Sequence, residues 1–215
     1  MGNEPGLRER KKQQTRKTIS DMATVLFAQR GFDNVTVAEV AEAANVSTKT
    51  VFNYFPRKED LFLDRFPEAA ELITRAIRER PPGEEPLTAL RRLLLELVRQ
   101  RHPLCGLDER YRLFWQVVLD SPALRARARE LVNELEKLLG SLLAEAADAA
   151  PDDPWSRVTA ALIVSAFRTS YAIGVGRILA GDSADAVIGD HTALLIRSFD
   201  TLERAVAPGA PDAPR

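Results

Sequence analysis

The sequence is poor in the residues that build covalent or metal-bound structure. It has one cysteine, Cys105, and two histidines, His102 and His191, among 215 residues. A lone thiol closes no disulfide within the chain and fits a reducing compartment. The histidines stand apart from each other and from the cysteine, so no ligand-spaced metal cluster is expected. No G-x-S-x-G elbow, phosphate-binding loop or dinucleotide fingerprint occurs, and neither catalysis nor a cofactor is expected. No apolar run approaches the ~18 residues that a membrane span needs, and no apolar segment follows the polar amino terminus as in a signal peptide. These absences lead to the expectation of a cytoplasmic protein with no membrane partner. Excess charge is missing as well, the net value being −1. The total therefore does not announce a nucleic-acid binder, and the distribution matters more. Arg8, Arg10, Lys11, Lys12, Arg16 and Lys17 crowd the start against Glu4 and Glu9, which makes a basic arm.

What is present is helical periodicity, and one stretch organises it: TVAEVAEAANVSTKTVFNYFPRK, Thr36 to Lys58. Ala38, Val40, Ala41 and Ala44 form an apolar stripe at helix spacing, with Thr36 placed to cap it. Asn45-Val46 breaks the pattern, since Asn tolerates left-handed backbone. Ser47 caps a second helix that runs to Tyr54-Phe55 and stops at Pro56. Two short helices joined by a tight turn make a helix-turn-helix, whose second helix lies in the major groove. Val51 and Phe55 give that helix a docking face, while Thr48, Lys49, Phe52 and Asn53 occupy the opposite one. The alternative is an ordinary solvated helix.

The stretch resembles the amino-terminal DNA-binding domain of the TetR/AcrR family of transcriptional repressors. The resemblance is carried by Ala23 and FAQRGF (27–32), TVAEVA (36–41), VSTKTVFNYF (46–55) and KEDL (58–61). It implies that Thr36 touches phosphate at a helix start and that Lys58 makes a further phosphate contact. It also implies that Ser47, Thr48, Lys49, Asn53 and Tyr54 carry groove and backbone contacts. Lys49 and Asn53 are the candidates for reading guanine and adenine. Phe52 departs from the family pattern, which usually has a tyrosine there whose hydroxyl touches phosphate.

The remaining chain reads as all-α. A disordered arm (1–7) precedes a three-helix DNA-binding domain (8–56), with its first helix over Arg8–Arg30 ended by Gly31. A long helix (57–80), kinked or split at Pro67, links this head to a second domain. After the turn Pro81-Pro82-Gly83 comes that second part, a helical ligand-binding and dimerisation domain (81–206), then a Pro/Ala-rich disordered tail (207–215). Within the second domain the patterns give helices over Leu87–Arg101, Leu107–Leu119, Ser121 to about Ala149, Trp155–Ala180 and Ala184–Val206.

The last two helices are apolar on more sides than a monomer needs. Leu162 and Phe167, with Val187, Leu194, Leu195, Phe199 and Leu202, suggest a pair that meets its copy, the alternative being a monomeric core. A homodimer would set two recognition helices about 34–36 Å apart, one turn of double-stranded operator DNA. Candidate polar groups for a small-molecule effector are His102, Tyr111, Trp115, Gln116, Arg168 and Tyr171. Tyr111 and Trp115 also suit plain core. Arg168 lies amid Ile163, Val164, Phe167 and Ile173, where a charge is costly unless paired; it either binds an anionic ligand or pairs across the dimer. The reading is a ligand-responsive repressor. The alternative is a DNA-binding regulator without a small-molecule switch.

Overall fold

The computed structural model describes residues 6–206, and among them the fold is all-helical, with nine α-helices. The chain divides into two compact units. The first, the head, takes the chain up to Asp64 together with Leu113–Ala128; the second takes Arg65–Arg112 and the chain from Arg129 onward.

In the head, α1 (Leu7–Arg30), α2 (Val37–Ala43) and α3 (Thr48–Tyr54) surround a core of Ile19, Ala23, Phe27, Val40, Val51 and Phe55. Each start and stop has a local cause. Thr36 accepts the Glu39 N–H at 3.2 Å and receives the Glu39 carboxylate on its own N–H at 2.7 Å, a reciprocal capping box. Asn45 has φ of 53°, the left-handed turn that its side chain tolerates. Ser47 accepts the Thr50 N–H at 3.0 Å and so opens α3. Gly31 closes α1 at φ 79°, ψ 151°, while its N–H donates to the Phe27 carbonyl at 2.9 Å.

The expected long helix over 57–80 is not continuous. A single 3₁₀ turn, Glu59–Leu61, is followed by α4 (Phe66–Arg78), with Pro67 in its first turn. Proline lacks an N–H that the first turn does not need, so Pro67 starts the helix instead of kinking it. Leu61 and Phe62 are drawn into the head core. The core also takes Val117 and Val118 of α6 (Arg112–Asp120) and Leu124 from the start of α7 (Pro122–Ala146). The helix expected over 107–119 likewise divides into a 3₁₀ turn, Glu109–Tyr111, and α6.

The second unit holds α4, α5 (Pro86–Arg99), most of α7, α8 (Pro154–Ala180) and α9 (Ala184–Val206). Ile77, Leu90, Leu139, Leu142, Ile163 and Phe199 form its main core. Asp153 caps α8 by accepting the Ser156 N–H at 2.7 Å, with Pro154 behind it, and Gly181 ends the helix at φ 104°. Gly174 is buried where the Leu107 side chain crosses, and a Cβ there would lie 2.8 Å from it.

α8 overturns one sequence expectation. An 18-residue window of it reaches a mean hydropathy of 1.5, enough by length and composition to cross a membrane. Only 33% of that window is buried within the chain, so much of its apolar surface faces outward. The expected unstructured stretches fall mostly outside the described residues, at 1–5 and 207–215, whereas Leu7 already opens α1.

The Gly31 conformation is open essentially to glycine alone. A Cβ would have room, its nearest neighbour being Asn34 at 3.5 Å, so the cost of Gly31→Ala is backbone strain. We expect a loss of about 1–3 kcal/mol. Urea unfolding followed by Trp115 emission in a Trp155→Phe background isolates the head, because Trp115 lies in the head and Trp155 in the second unit.

Candidate nucleic-acid interface and helical core

The exposed face of α3 rests on a buried underside. Val51 and Phe55 are each 1% exposed, and Tyr54 packs partly against the same core. The opposite side leaves Ser47, Thr48, Lys49, Phe52 and Asn53 exposed. Ser47 is committed to its cap and hydrogen-bonds the Thr50 hydroxyl at 2.8 Å.

Thr36 is equally committed. Its N–H and hydroxyl both donate to Glu39 Oε2, at 2.7 and 2.8 Å, and Arg30 reaches Oε1 at 2.8 Å. Backbone donation from Thr36, then its hydroxyl and Arg30, hold the Glu39 carboxyl down to about 2. An internal carboxylate therefore occupies the donors that the family resemblance gives to phosphate.

Lys58 is placed differently from the expectation of a phosphate contact. Its ammonium donates to the Phe32 carbonyl at 2.6 Å and stands 4.2 Å from the Phe32 ring centroid and 5.6 Å from that of Phe27. Partial burial lowers its pKa. It pins the turn after α1 onto the core.

The basic arm divides by use. Arg16 donates to the Asp64 carbonyl at 3.0 Å and lies 4.5 Å over the Phe55 ring, and Lys17 pairs with Asp21 at 2.6 Å. Arg8, Arg10, Lys11 and Lys12 are exposed along the first turns of α1.

In the second unit the candidate effector residues only partly converge. His102 Nδ1 accepts the Leu104 N–H at 3.3 Å, which leaves Nε2 to face Glu68 at 3.4 Å. The Tyr171 hydroxyl donates to the Leu104 carbonyl at 3.4 Å, and its ring stacks on Phe167 at 5.6 Å. Burial raises that hydroxyl's pKa well above its ordinary value and pushes the neighbouring Cys105 thiol up to about 12, so both are neutral near pH 7. His102, Cys105 and Tyr111, with Val98, Leu107 and Ile188, line a small cavity of about 10 Å³. Trp115 and Gln116 belong to the head, where Trp115 packs edge-on against Phe114 at 4.9 Å and Gln116 is exposed. Arg168 is exposed rather than buried among the apolar residues of α8, which removes the expected desolvation cost. One residue with no sequence signal emerges: Arg112, whose Nε is buried without a hydrogen-bond partner.

The dimer candidates need sorting as well. Val187, Leu195, Phe199 and Leu202 are between 1% and 9% exposed and are consumed by the protomer's own core. Phe167 and Leu194 are half-buried. The apolar face left open lies on α8, where Trp155, Val158, Leu162 and Ile173 are 59%, 47%, 44% and 51% exposed. Trp155, Val158 and Leu162 follow the three-and-four spacing that puts residues on one helix face, a signal legible in the sequence. Ala186, Gly189 and Ala193 give α9 an exposed edge of small residues.

Residues 19–64 match the sequence family described as bacterial regulatory proteins, tetR family. The HTH-type transcriptional regulator TcmR of Streptomyces glaucescens is 34% identical over 146 residues, 66% of this chain and 64% of that protein. The HTH-type transcriptional repressor KstR of Rhodococcus jostii is 32% identical over 103 residues, 47% of this chain and 48% of that protein. The alignments thus span less than two thirds of the length of these relatives. Among solved structures, NalD, the secondary repressor of the MexAB-OprM multidrug efflux pump in Pseudomonas aeruginosa, has a similar fold. Its TM-score is 0.54 at 21% identity, over 86% of this chain and 97% of that one.

Lys58→Met keeps the aliphatic stem and removes the ammonium. Loss of the charged hydrogen bond and the ring contacts, discounted for partial exposure, should cost the head about 1–2 kcal/mol in urea unfolding. The salt dependence of DNA binding should keep its slope, whereas losing a phosphate contact would lower it by about one.

Proposed function

We propose that the chain, whose residues 19–64 match the bacterial regulatory proteins of the tetR family, is a member of that family and a ligand-responsive transcriptional regulator. In this reading it is a repressor that binds a two-fold operator as a homodimer and is released by a small molecule. The observation that carries the proposal is the exposed face of α3, with Thr48, Lys49 and Asn53 held outward by the buried Val51 and Phe55. Lys49 takes guanine and Asn53 takes adenine in the major groove. Arg8, Arg10, Lys11 and Lys12 supply backbone neutralisation.

Dimerisation uses the α8 face. A stripe headed by Trp155 and Leu162 is costly in water, and a two-fold copy covers it with the same residues. The small residues along α9 permit close approach beside it.

An effector bound beside His102, Tyr111 and Tyr171 requires rearrangement. A cavity of about 10 Å³ admits no more than a water, whereas ligand pockets run to about 300–1,000 Å³. A ligand entering beside His102, Tyr111 and Tyr171 must therefore favour a more open arrangement of the second unit, and its differential affinity is what shifts the population. The unpartnered Arg112 Nε is a donor that a ligand acceptor could satisfy. The second reading is a DNA-binding regulator with no small-molecule switch.

Gel-shift titration tests the proposal, using DNA upstream of the protein's own gene and duplexes selected from a random pool. Specific, salt-dependent binding is expected, and Lys49→Ala should weaken it and relax one operator position. Leu162→Asp should give a monomer in sedimentation and lose operator affinity. Absence of binding to every duplex overturns the reading. A bound operator that no compound in an effector screen releases favours the second one.

A further inference from the structure

Phe52 is the anomaly of the recognition face. The other phenylalanines of α1–α3 and the two turns that follow α1 and α3, Phe27, Phe32, Phe55 and Phe62, are at most 4% exposed, whereas Phe52 is 48% exposed. It is not part of the head's buried core. It stands three residues from Lys49 and four from Thr48, which sets all three side chains on one face of α3. The underside of the helix is already filled by Val51 and Phe55. Nothing in the head's own packing accounts for an aromatic ring held at that place.

The chemistry of a phenyl ring narrows what it can meet. It has no donor for a phosphate oxygen and no group that can read a base by hydrogen bonds. The base-pair edges of the major groove are donors and acceptors with a single apolar exception, the C5 methyl of thymine. We infer that Phe52 is a specificity-determining residue that reads a thymine methyl in each operator half-site, next to the bases taken by Lys49 and Asn53. The inference rests on the DNA-binding reading proposed above and adds one operator base to it.

Replacing thymine by deoxyuridine deletes the methyl and leaves every Watson–Crick hydrogen bond, so it isolates this contact. Full-length protein is titrated by fluorescence anisotropy, at one fixed salt concentration, against a duplex recovered by selection. Symmetry-related thymine pairs are exchanged one pair at a time. One pair is expected to weaken wild-type binding by about four-fold per half-site, the factor that burying one methyl-sized group gives. Phe52→Ala should bind the thymine and deoxyuridine duplexes equally, and Phe52→Leu should keep part of the discrimination. Because the ring lies outside the head's buried core, both variants should unfold close to the wild-type temperature. The inference is overturned if no thymine exchange affects wild-type binding, or if Phe52→Ala keeps the wild-type ratio. In either case a duplex has been bound and the DNA-binding reading survives. Failure to recover any duplex overturns both.

Discussion

The head depends on a seam of aromatic rings. Phe27 meets Phe32 at 4.9 Å and Phe62 at 5.7 Å, and Phe62 stacks on Phe114 at 4.7 Å. These four rings tie α1 to the turn beyond it, to the segment after α3 and to α6. Lys58 closes the same seam, since its ammonium grips the Phe32 carbonyl at 2.6 Å over the ring that the carbonyl's own residue supplies. Without this core the recognition helix would have little reason to exist. α3 has seven residues, and isolated helices shorter than ~12–15 residues are marginal in water. Its order comes from the Ser47 cap and from Val51 and Phe55 sunk into the seam's neighbourhood. Placement of Lys49 and Asn53 is thus a consequence of hydrophobic packing on the far side of the helix.

The head is also larger than three helices. Val117, Val118 and Leu124 complete its core, Ser121 donates its hydroxyl to Asp33 at 3.2 Å, and Arg127 pairs with Asp60 at 2.7 Å. At 13% and 17% side-chain exposure that pair is well shielded from water. The chain accordingly leaves the head after Asp64, re-enters at Leu113 and leaves again after Ala128.

Much of this was legible in the sequence wherever the cause is local. Caps at Thr36, Ser47 and Asp153, breaks at Gly31, Asn45 and Gly181, and the long periodic helices all depend on neighbours within four residues. Phe62 and Phe114 illustrate what is not local. No periodicity tells that two rings fifty-two positions apart will stack, so the membership of α6 in the head was invisible. Pro67 was ambiguous for a related reason. A proline breaks a helix in its interior but opens one at its first turn, and only the diversion of Leu61 and Phe62 into the core decides which. On α9 the apolar count was right and its direction was not: Val187, Leu195 and Phe199 face inward, which leaves α8 to carry the exposed stripe.

Charge shows the same limit most sharply. A census of the head's cations treats Arg16, Arg30, Lys58 and Arg127 as equivalent to Arg8, Lys11 and Lys49. The structure separates them. The first group is bound to Asp64, Glu39, the Phe32 carbonyl and Asp60, so its charge is spent on folding the head. The second group is exposed, and only such cations can exchange condensed counterions for phosphate contacts at no internal cost. A net charge near zero is then no obstacle to binding a polyanion. What matters is that the internal acids are matched to internal bases, so that the cations left over stand along the start of α1 and on α3.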